Sequence, residues 1–367
     1  MPWPAKALRG PRAPANPFPG LAALERELGQ PLPARLSANE ALALYPRPWT
    51  EAFEPALLEH CRQYPDPSAL ALRQALSRHE GVAPEHLLVD AGADSLIALM
   101  LRAYADAGEP VLCSEGTYPT FAYFARAQGL ALHTVPYAGH GASRAIDLPG
   151  LLQAAQQLRP RLLYLANPDN PSGRFVPLAA LKAWAARLPP GTLLLLDEAY
   201  LGFAEHYGDL GPWPATVRLR SFSKACGLAG LRVGYAVTSE GLLAPAQRTR
   251  IHYAVSGLSA WLAERMLAEP RHLLALRAHT LALRERFELF ARLRGLPYLP
   301  SAANFVSLVL PASPALRHWH AAWLRRGVSM ALPPPWGDDQ LLRLTLHPEL
   351  FQPALLEALS ELPGALR

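Results

Sequence analysis

Four consecutive leucines, Leu193 to Leu196, run directly into Asp197, with Glu198-Ala199-Tyr200 behind them. An apolar run without polar alternation must be covered on both faces, which is the situation of a strand inside an α/β sheet. The acid at its end is the informative residue, because an ionised carboxylate is costly in such a place unless a cation partners it. Similar short runs occur at Leu87-Leu88-Val89-Asp90, Pro110 to Cys113, Arg161 to Ala166 and Val217 to Leu219, with helical patterns over Leu96 to Ala105 and Phe121 to Gln128. That alternation predicts an α/β domain. Further on, Ser256 to about Arg294 reads as one long helix. Short strands at Phe305 to Leu310, Val328 to Leu332 and Leu341 to Leu346, with a helix from Ser313 to Arg326, predict a small α+β unit.

The chain has 367 residues, half of them apolar, enough for one large domain and a smaller one. Its formal charge of +5 comes from arginines scattered along the chain rather than gathered in a stripe, so nucleic-acid binding is not expected. Cys61, Cys113 and Cys226 are odd in number and far apart, with neither disulfide nor zinc spacing; a reducing, cytoplasmic compartment and no metal site are expected. Residues 1–20 hold prolines and charges but no continuous apolar core, and read as an irregular arm. No stretch reaches the ~18 uninterrupted apolar residues that span a bilayer, so no membrane contact is expected.

The most unusual local stretch is Ser221-Phe222-Ser223-Lys224-Ala225-Cys226-Gly227-Leu228-Ala229-Gly230-Leu231-Arg232-Val233-Gly234-Tyr235. It begins where an apolar run stops, so it reads as a strand end turning into a Gly-punctuated loop. Lys224 has Phe222, Ala225 and Cys226 as near neighbours, a setting that can desolvate an amine, and a neutral amine can form a Schiff base with an aldehyde. The plainer alternative is a surface lysine. Ser221 and Ser223 can donate to phosphate, and Arg232 offers a planar fork suited to bidentate phosphate binding.

Four other places carry chemistry. Ala91-Gly92-Ala93-Asp94-Ser95, between a strand and a helix, presents free backbone N–H groups and a positive dipole end to an anion, with Asp94 placed to cap the helix. In Asn167-Pro168-Asp169-Asn170-Pro171-Ser172-Gly173 the prolines fix φ, Gly173 permits a sharp exit and the Asn170 amide is left as a donor at the sheet's mouth. Tyr118 lies just past a strand's carboxyl end, where open α/β sheets place ligands, unless it is a core tyrosine. Arg343 interrupts the apolar alternation Leu-Leu-Arg-Leu-Thr-Leu and needs an anion, in a ligand or in a rim salt bridge.

Taken in order, these segments resemble the fold-type I pyridoxal-phosphate enzymes, the class I/II aminotransferases, and lie nearest the histidinol-phosphate aminotransferase branch, over roughly residues 60–345. The resemblance implies an α/β fold: a three-layer αβα large domain around a mostly parallel seven-stranded sheet, as in aspartate aminotransferase, plus a small α+β domain. Residues 1–45 are expected to be an N-terminal arm and part of the small domain, 46–250 the large cofactor-binding domain, and 251–367 the connector helix and small C-terminal domain. The implied cofactor is pyridoxal 5'-phosphate. Lys224 would form the Schiff base and then act as general base and acid. Asp197 would hold the pyridine nitrogen protonated, which makes the ring an electron sink; a metal ligand or helix cap is the other reading, and no His or Cys cluster accompanies it. Asn170 and Tyr200 would bond the phenolic oxygen, and Tyr118 would stack on the ring. Gly92, Ala93, Asp94, Ser221, Ser223 and Arg232 would hold the phosphate.

Two segments imply contacts beyond the cofactor. Tyr64, in Tyr64-Pro65-Asp66-Pro67, matches a tyrosine that reaches across a dimer interface to the partner's cofactor phosphate, so a homodimer is expected. Arg35-Leu36-Ser37-Ala38-Asn39-Glu40 resembles the segment lining the substrate side, with Asn39 and Arg343 as substrate-binding residues. Histidinol-phosphate enzymes typically carry an extra arginine after the Gly-Val pair that opens a late strand, where this chain reads Gly327-Val328-Ser329-Met330-Ala331-Leu332. The expected reaction moves the amino group of an L-amino acid, with an uncharged side chain, or of a related amine, to a 2-oxo acid. A decarboxylase of the same fold, such as threonine-phosphate decarboxylase, stays open as the alternative. An effector-sensing domain of a transcription regulator is disfavoured, because the short arm leaves no room for a helix-turn-helix domain.

Overall fold

The computed structural model describes residues 21–37, 39, 57, 60–61, 64–204, 208 and 210–366; the expected arm over residues 1–20, and Ala38 and Glu40 of the substrate-side segment, lie outside them. In chain order the strands are β1 (Ala34–Leu36), β2 (Leu87–Asp90), β3 (Pro110–Ser114), β4 (Ala131–Val135), β5 (Leu162–Ala166), β6 (Leu193–Asp197), β7 (Thr216–Ser221), β8 (Gly234–Val237), β9 (Tyr298–Leu299), β10 (Phe305–Pro311), β11 (Val328–Met330) and β12 (Asp339–Thr345). Seven of them make one sheet in the order β2-β8-β7-β6-β5-β3-β4. Its pairs are parallel except those of β8, which runs against both β7 and β2.

The leucine run explains the layering. Leu193 and Leu195 enter a core with Ile97, Met100 and Phe121, whereas Leu194 and Leu196 enter another with Leu151, Leu152, Leu181 and Trp184. Successive side chains of a strand face opposite sides, so this one run commits the sheet to cover on both faces: helices Ala93–Tyr104 and Thr120–Ala127 on one, Leu148–Leu158 and Leu178–Ala185 on the other. Truncating any of these leucines to Ala would cost about 2–5 kcal/mol.

A separate core surrounds the antiparallel sheet β12-β10-β9. There Val306, Leu308, Leu342 and Leu344 pack with Leu36, Phe287 and Trp323, and β1 runs parallel to β11 beside it. The single long helix expected from Ser256 onward is two. Gly257–Leu267 starts on Ser256, whose side chain accepts from the Ser259 amide, and Pro270–Leu293 follows after a break. Proline cannot donate to a helix and disfavours helical backbone before it; Glu269 has φ −114° and ψ 62°, and Pro270 takes the first position of the new helix instead. Among the described residues no helix is long and apolar enough to cross a membrane.

The direction of the strands gathers their carboxyl ends. The last residues of β2, β3, β5, β6 and β7, namely Asp90, Ser114, Ala166, Asp197 and Ser221, fall along one edge of the sheet, and reversed β8 enters at that edge with Gly234 paired to Ser221 and Asp90.

Candidate active site

Gly92 is the N-cap of helix Ala93–Tyr104, with φ 89° and ψ 171°, a backbone that glycine adopts without strain. A Cβ there would lie 2.8 Å from Arg232 Nη2, and a Cβ at Gly234 would lie 2.7 Å from the carbonyl carbon of Gly92. The guanidinium, β8 and the free amides of the helix therefore meet only because both positions lack a side chain. Arg232 Nη1 donates to Ser223 Oγ at 3.3 Å, and the Ser223 amide donates to Ser221 Oγ at 3.0 Å. A cationic fork, two hydroxyls and a helix N-terminus thus share one space, which suits a phosphate.

The helix begins at Ala93 rather than Leu96, so Asp94 lies in its first turn and makes no capping bond. Its carboxylate accepts from the Tyr118 hydroxyl at 2.9 Å and lies 3.6 Å from Arg232 Nη2. Burial and then the Asp94 charge hold the Tyr118 phenol well above its ordinary range, so it is a neutral donor. Asp90 braces the turn instead, accepting from the Ala91 amide at 2.7 Å and from Ser95 Oγ at 2.5 Å.

Asp197 is 5% exposed at the end of β6. Its Oδ2 accepts from the Tyr164 hydroxyl at 2.7 Å and its Oδ1 from the Ala199 amide at 2.9 Å. Burial pushes its carboxyl up to about 6; the two donors pull it down, and Asp94 and Glu198 raise it. Both donors are neutral, so the group still favours a cation beside it. Glu198, next in sequence, is served differently, by Arg218 at 2.6 Å and Arg220 at 2.9 Å.

Arg343, on β12, donates from Nη1 to Asn170 Oδ1 at 2.5 Å and from Nη2 to the Ser37 carbonyl at 2.6 Å, while its Nε is buried without a partner. The Asn170 turn has cis bonds at Asn167-Pro168 and Asn170-Pro171 and leaves through Gly173 at φ 78°. It is pinned beneath by Asp169, which accepts from the Tyr137 hydroxyl at 2.8 Å and from Ser172 Oγ. Burial pushes the Asp169 carboxyl up to about 6, against these donors.

Lys224, Tyr200 and Asn39 form a further group. The Lys224 amine donates to the Asn39 carbonyl at 3.2 Å and lies 5.6 Å from the centroid of the Tyr200 ring; Asn39 Nδ2 donates to the Tyr200 hydroxyl at 2.9 Å. Tyr64 stands apart, 85% exposed and packed on Tyr253 at 4.9 Å between ring centroids.

The sequence profile of the family described as Aminotransferase class I and II matches residues 34–360, a span that holds all of these side chains. The chain belongs to the class I and II aminotransferases. This aminotransferase is 34% identical over 347 residues to the histidinol-phosphate aminotransferase of Symbiobacterium thermophilum, covering 92% of this chain and 94% of that protein. It superposes on the crystal structure of histidinol-phosphate aminotransferase from Sinorhizobium meliloti in complex with pyridoxal-5'-phosphate with a TM-score of 0.85, at 34% identity and 96% coverage of both chains. A single mutant of Thermus thermophilus aspartate aminotransferase, 21% identical with full coverage of both chains, gives 0.78, a likeness of fold. These relatives favour transamination over the decarboxylase of the same fold.

The motifs did not bring out Tyr164, Tyr137, Asn304 or Thr345. A signal for Tyr164 was present: a phenol in the middle of the apolar run Leu162–Ala166 is buried and needs a hydrogen-bond partner. Thr345 ends β12 and Asn304 just precedes β10; both bond the Asn39 backbone, and only the fold brings them to it.

Proposed function

We propose that this aminotransferase holds pyridoxal 5'-phosphate between the Gly92–Arg232 cradle and Asp197, with Lys224 as covalent anchor and proton carrier, and transfers an α-amino group from an L-amino acid to a 2-oxo acid. The observation that carries the reading is a phosphate cradle and a buried carboxylate at one sheet edge. The residues present fit the group at both ends: the missing Cβ of Gly92 leaves the Arg232 fork and helix amides in one space, and Asp197, pushed up to about 6, calls for a cation such as a ring N–H⁺. When bound, the cofactor supplies an electron sink.

The protein's own groups do the rest. Asp197, oriented by Tyr164 and the Ala199 amide, would hold the ring proton. The NH2 of Asn170 and the hydroxyl of Tyr200 would donate to the phenolic oxygen, and Tyr118 would cover a ring face and keep water off it. Ser221, Ser223, Arg232, Gly92, Ala93 and Asp94 line the phosphate end. Lys224 would take the proton from the substrate Cα and return one to the cofactor side. Arg343, with a buried Nε to spare, would receive the substrate carboxylate, with Asn39 on the same side.

Ala331 is bridged to Arg343 through both backbone bonds, so a methyl group, not a cation, neighbours the carboxylate fork. That favours an amino acid with an uncharged side chain. The exposed pair Tyr64 and Tyr253, with Ile251 69% exposed, supports a homodimer in which Tyr64 reaches the partner's phosphate. The division at residues 45 and 250, and a cytoplasmic location, belong to the same reading. The test is a spectrum of the purified protein with a panel of amino acids. Donors that bleach the yellow band and yield pyridoxamine phosphate with a 2-oxo acid support it; Lys224→Ala that still carries borohydride-reducible, covalently attached cofactor overturns the anchor.

A further inference from the structure

Asn39 is 1% exposed and takes φ 54°, and both halves of its backbone are held by residues flanking the small sheet. Its N–H donates to Thr345 Oγ1 at 3.0 Å. Its carbonyl receives Asn304 Nδ2 at 3.0 Å and Lys224 Nζ at 3.2 Å. A carbonyl can only accept, so the nitrogen of Asn304 must face it. The other end, Oδ1, is buried without a partner, an arrangement that costs stability and calls for an explanation.

A carbonyl oxygen offers two lone pairs, and here the carboxamide and the amine are its two donors. The lysine stem is long and flexible. An amine that donates an N–H to this carbonyl is held on its side, so the place of the carbonyl bears on where the amine rests and from which side it can attack.

We propose that Asn304 is a positioning residue for Lys224: by pinning the Asn39 carbonyl it sets the resting place of the amine whenever that amine is not bonded to cofactor. This rests on the function proposed above. The step it serves is capture, in which the amine nitrogen forms a C=N bond with the cofactor aldehyde carbon and the aldehyde oxygen leaves as water with the two amine protons. Asn304 acts through the Asn39 peptide, whose carbonyl it holds. Thr345 holds the other side of the same peptide.

The test uses the full chain stripped of cofactor. Two quantities are read: the rate at which added pyridoxal phosphate becomes borohydride-reducible on the protein, and the affinity for pyridoxamine phosphate, which has no aldehyde to link. Asn304→Leu is expected to slow capture about tenfold while pyridoxamine phosphate affinity stays within about twofold. Thr345→Val, which keeps side-chain shape, is expected to give the same split and serves if the first variant does not fold. Capture at the wild-type rate in the folded variants overturns the proposal. So does an equal fall in capture and in pyridoxamine phosphate affinity, the mark of a merely structural role. Wild-type protein that captures no cofactor would instead overturn the function itself, which separates the two failures.

Discussion

Arg343 fixes the rotation of Asn170: its Nη1 meets the carboxamide oxygen at 2.5 Å, and since a guanidinium only donates, the NH2 end is the one left for an acceptor. Asn170→Asp would pair with Arg343 more tightly and lose that donor. We expect kcat to fall at least about tenfold, with the protein still folded. Arg343→Lys keeps the charge but not the fork. It should raise KM for the amino acid roughly 10–100-fold, as steady-state kinetics will read.

Gly92 and Gly108 share φ 89°, but a Cβ at Gly108 meets nothing within 4 Å, whereas one at Gly92 meets Arg232. Alanine at either position should cost about 1 kcal/mol or more of stability through backbone strain alone. Only Gly92→Ala should also weaken pyridoxal phosphate binding, by roughly tenfold. Thermal unfolding and a cofactor titration of both variants check the pair; equal affinities would remove Gly92 from the cradle.

Asp169 and Asp197 both have carboxyls pushed up to about 6 by burial, from about 3.9 in an unfolded chain. The folded protein therefore holds their protons more tightly than the unfolded one. Stability falls as pH rises from about 4 to about 6 and is level above that range. Cofactor-free protein is expected to gain stability as pH drops from neutral toward 5. Asp197→Asn removes one contribution and should be up to about 3 kcal/mol more stable at neutral pH without cofactor, while binding cofactor more weakly. Melting temperatures of both proteins across this range decide it.

Tyr64 is predicted to act on the other subunit. Lys224→Ala and Tyr64→Ala proteins, each impaired alone, should on mixing and subunit exchange recover about a quarter of wild-type activity, because half the dimers then hold one intact site. A mixture no more active than its parts would confine Tyr64 to its own surface.

Much of this architecture was legible in the sequence, because burial on both faces leaves a plain mark. Leu193 to Leu196 implied a covered strand, and β6 is one, buried from Leu193 to Asp197. The helix from Ser256 to Arg294 was misread because its apolar spacing continues through Glu269-Pro270, where the missing N–H outweighs pattern. Asp94 looked like a cap because residue type marks a helix start only to within a turn. What the sequence hid were partnerships across long separations. Tyr164 with Asp197, and Asn304 and Thr345 with Asn39, join residues that no local spacing relates.

Ser221 closes β7 and Gly234 opens β8, and the two face each other in register. The segment carrying Lys224 is thus a noose closed at its base between neighbouring strands, whereas β2, β3 and β5 leave the same edge for helices. An inserted or deleted residue inside the noose would have to be swallowed there or slip β8, and a one-residue slip would turn Tyr235 out of its packing. Engineers wishing to lengthen this enzyme should cut at the opposite ends of the strands.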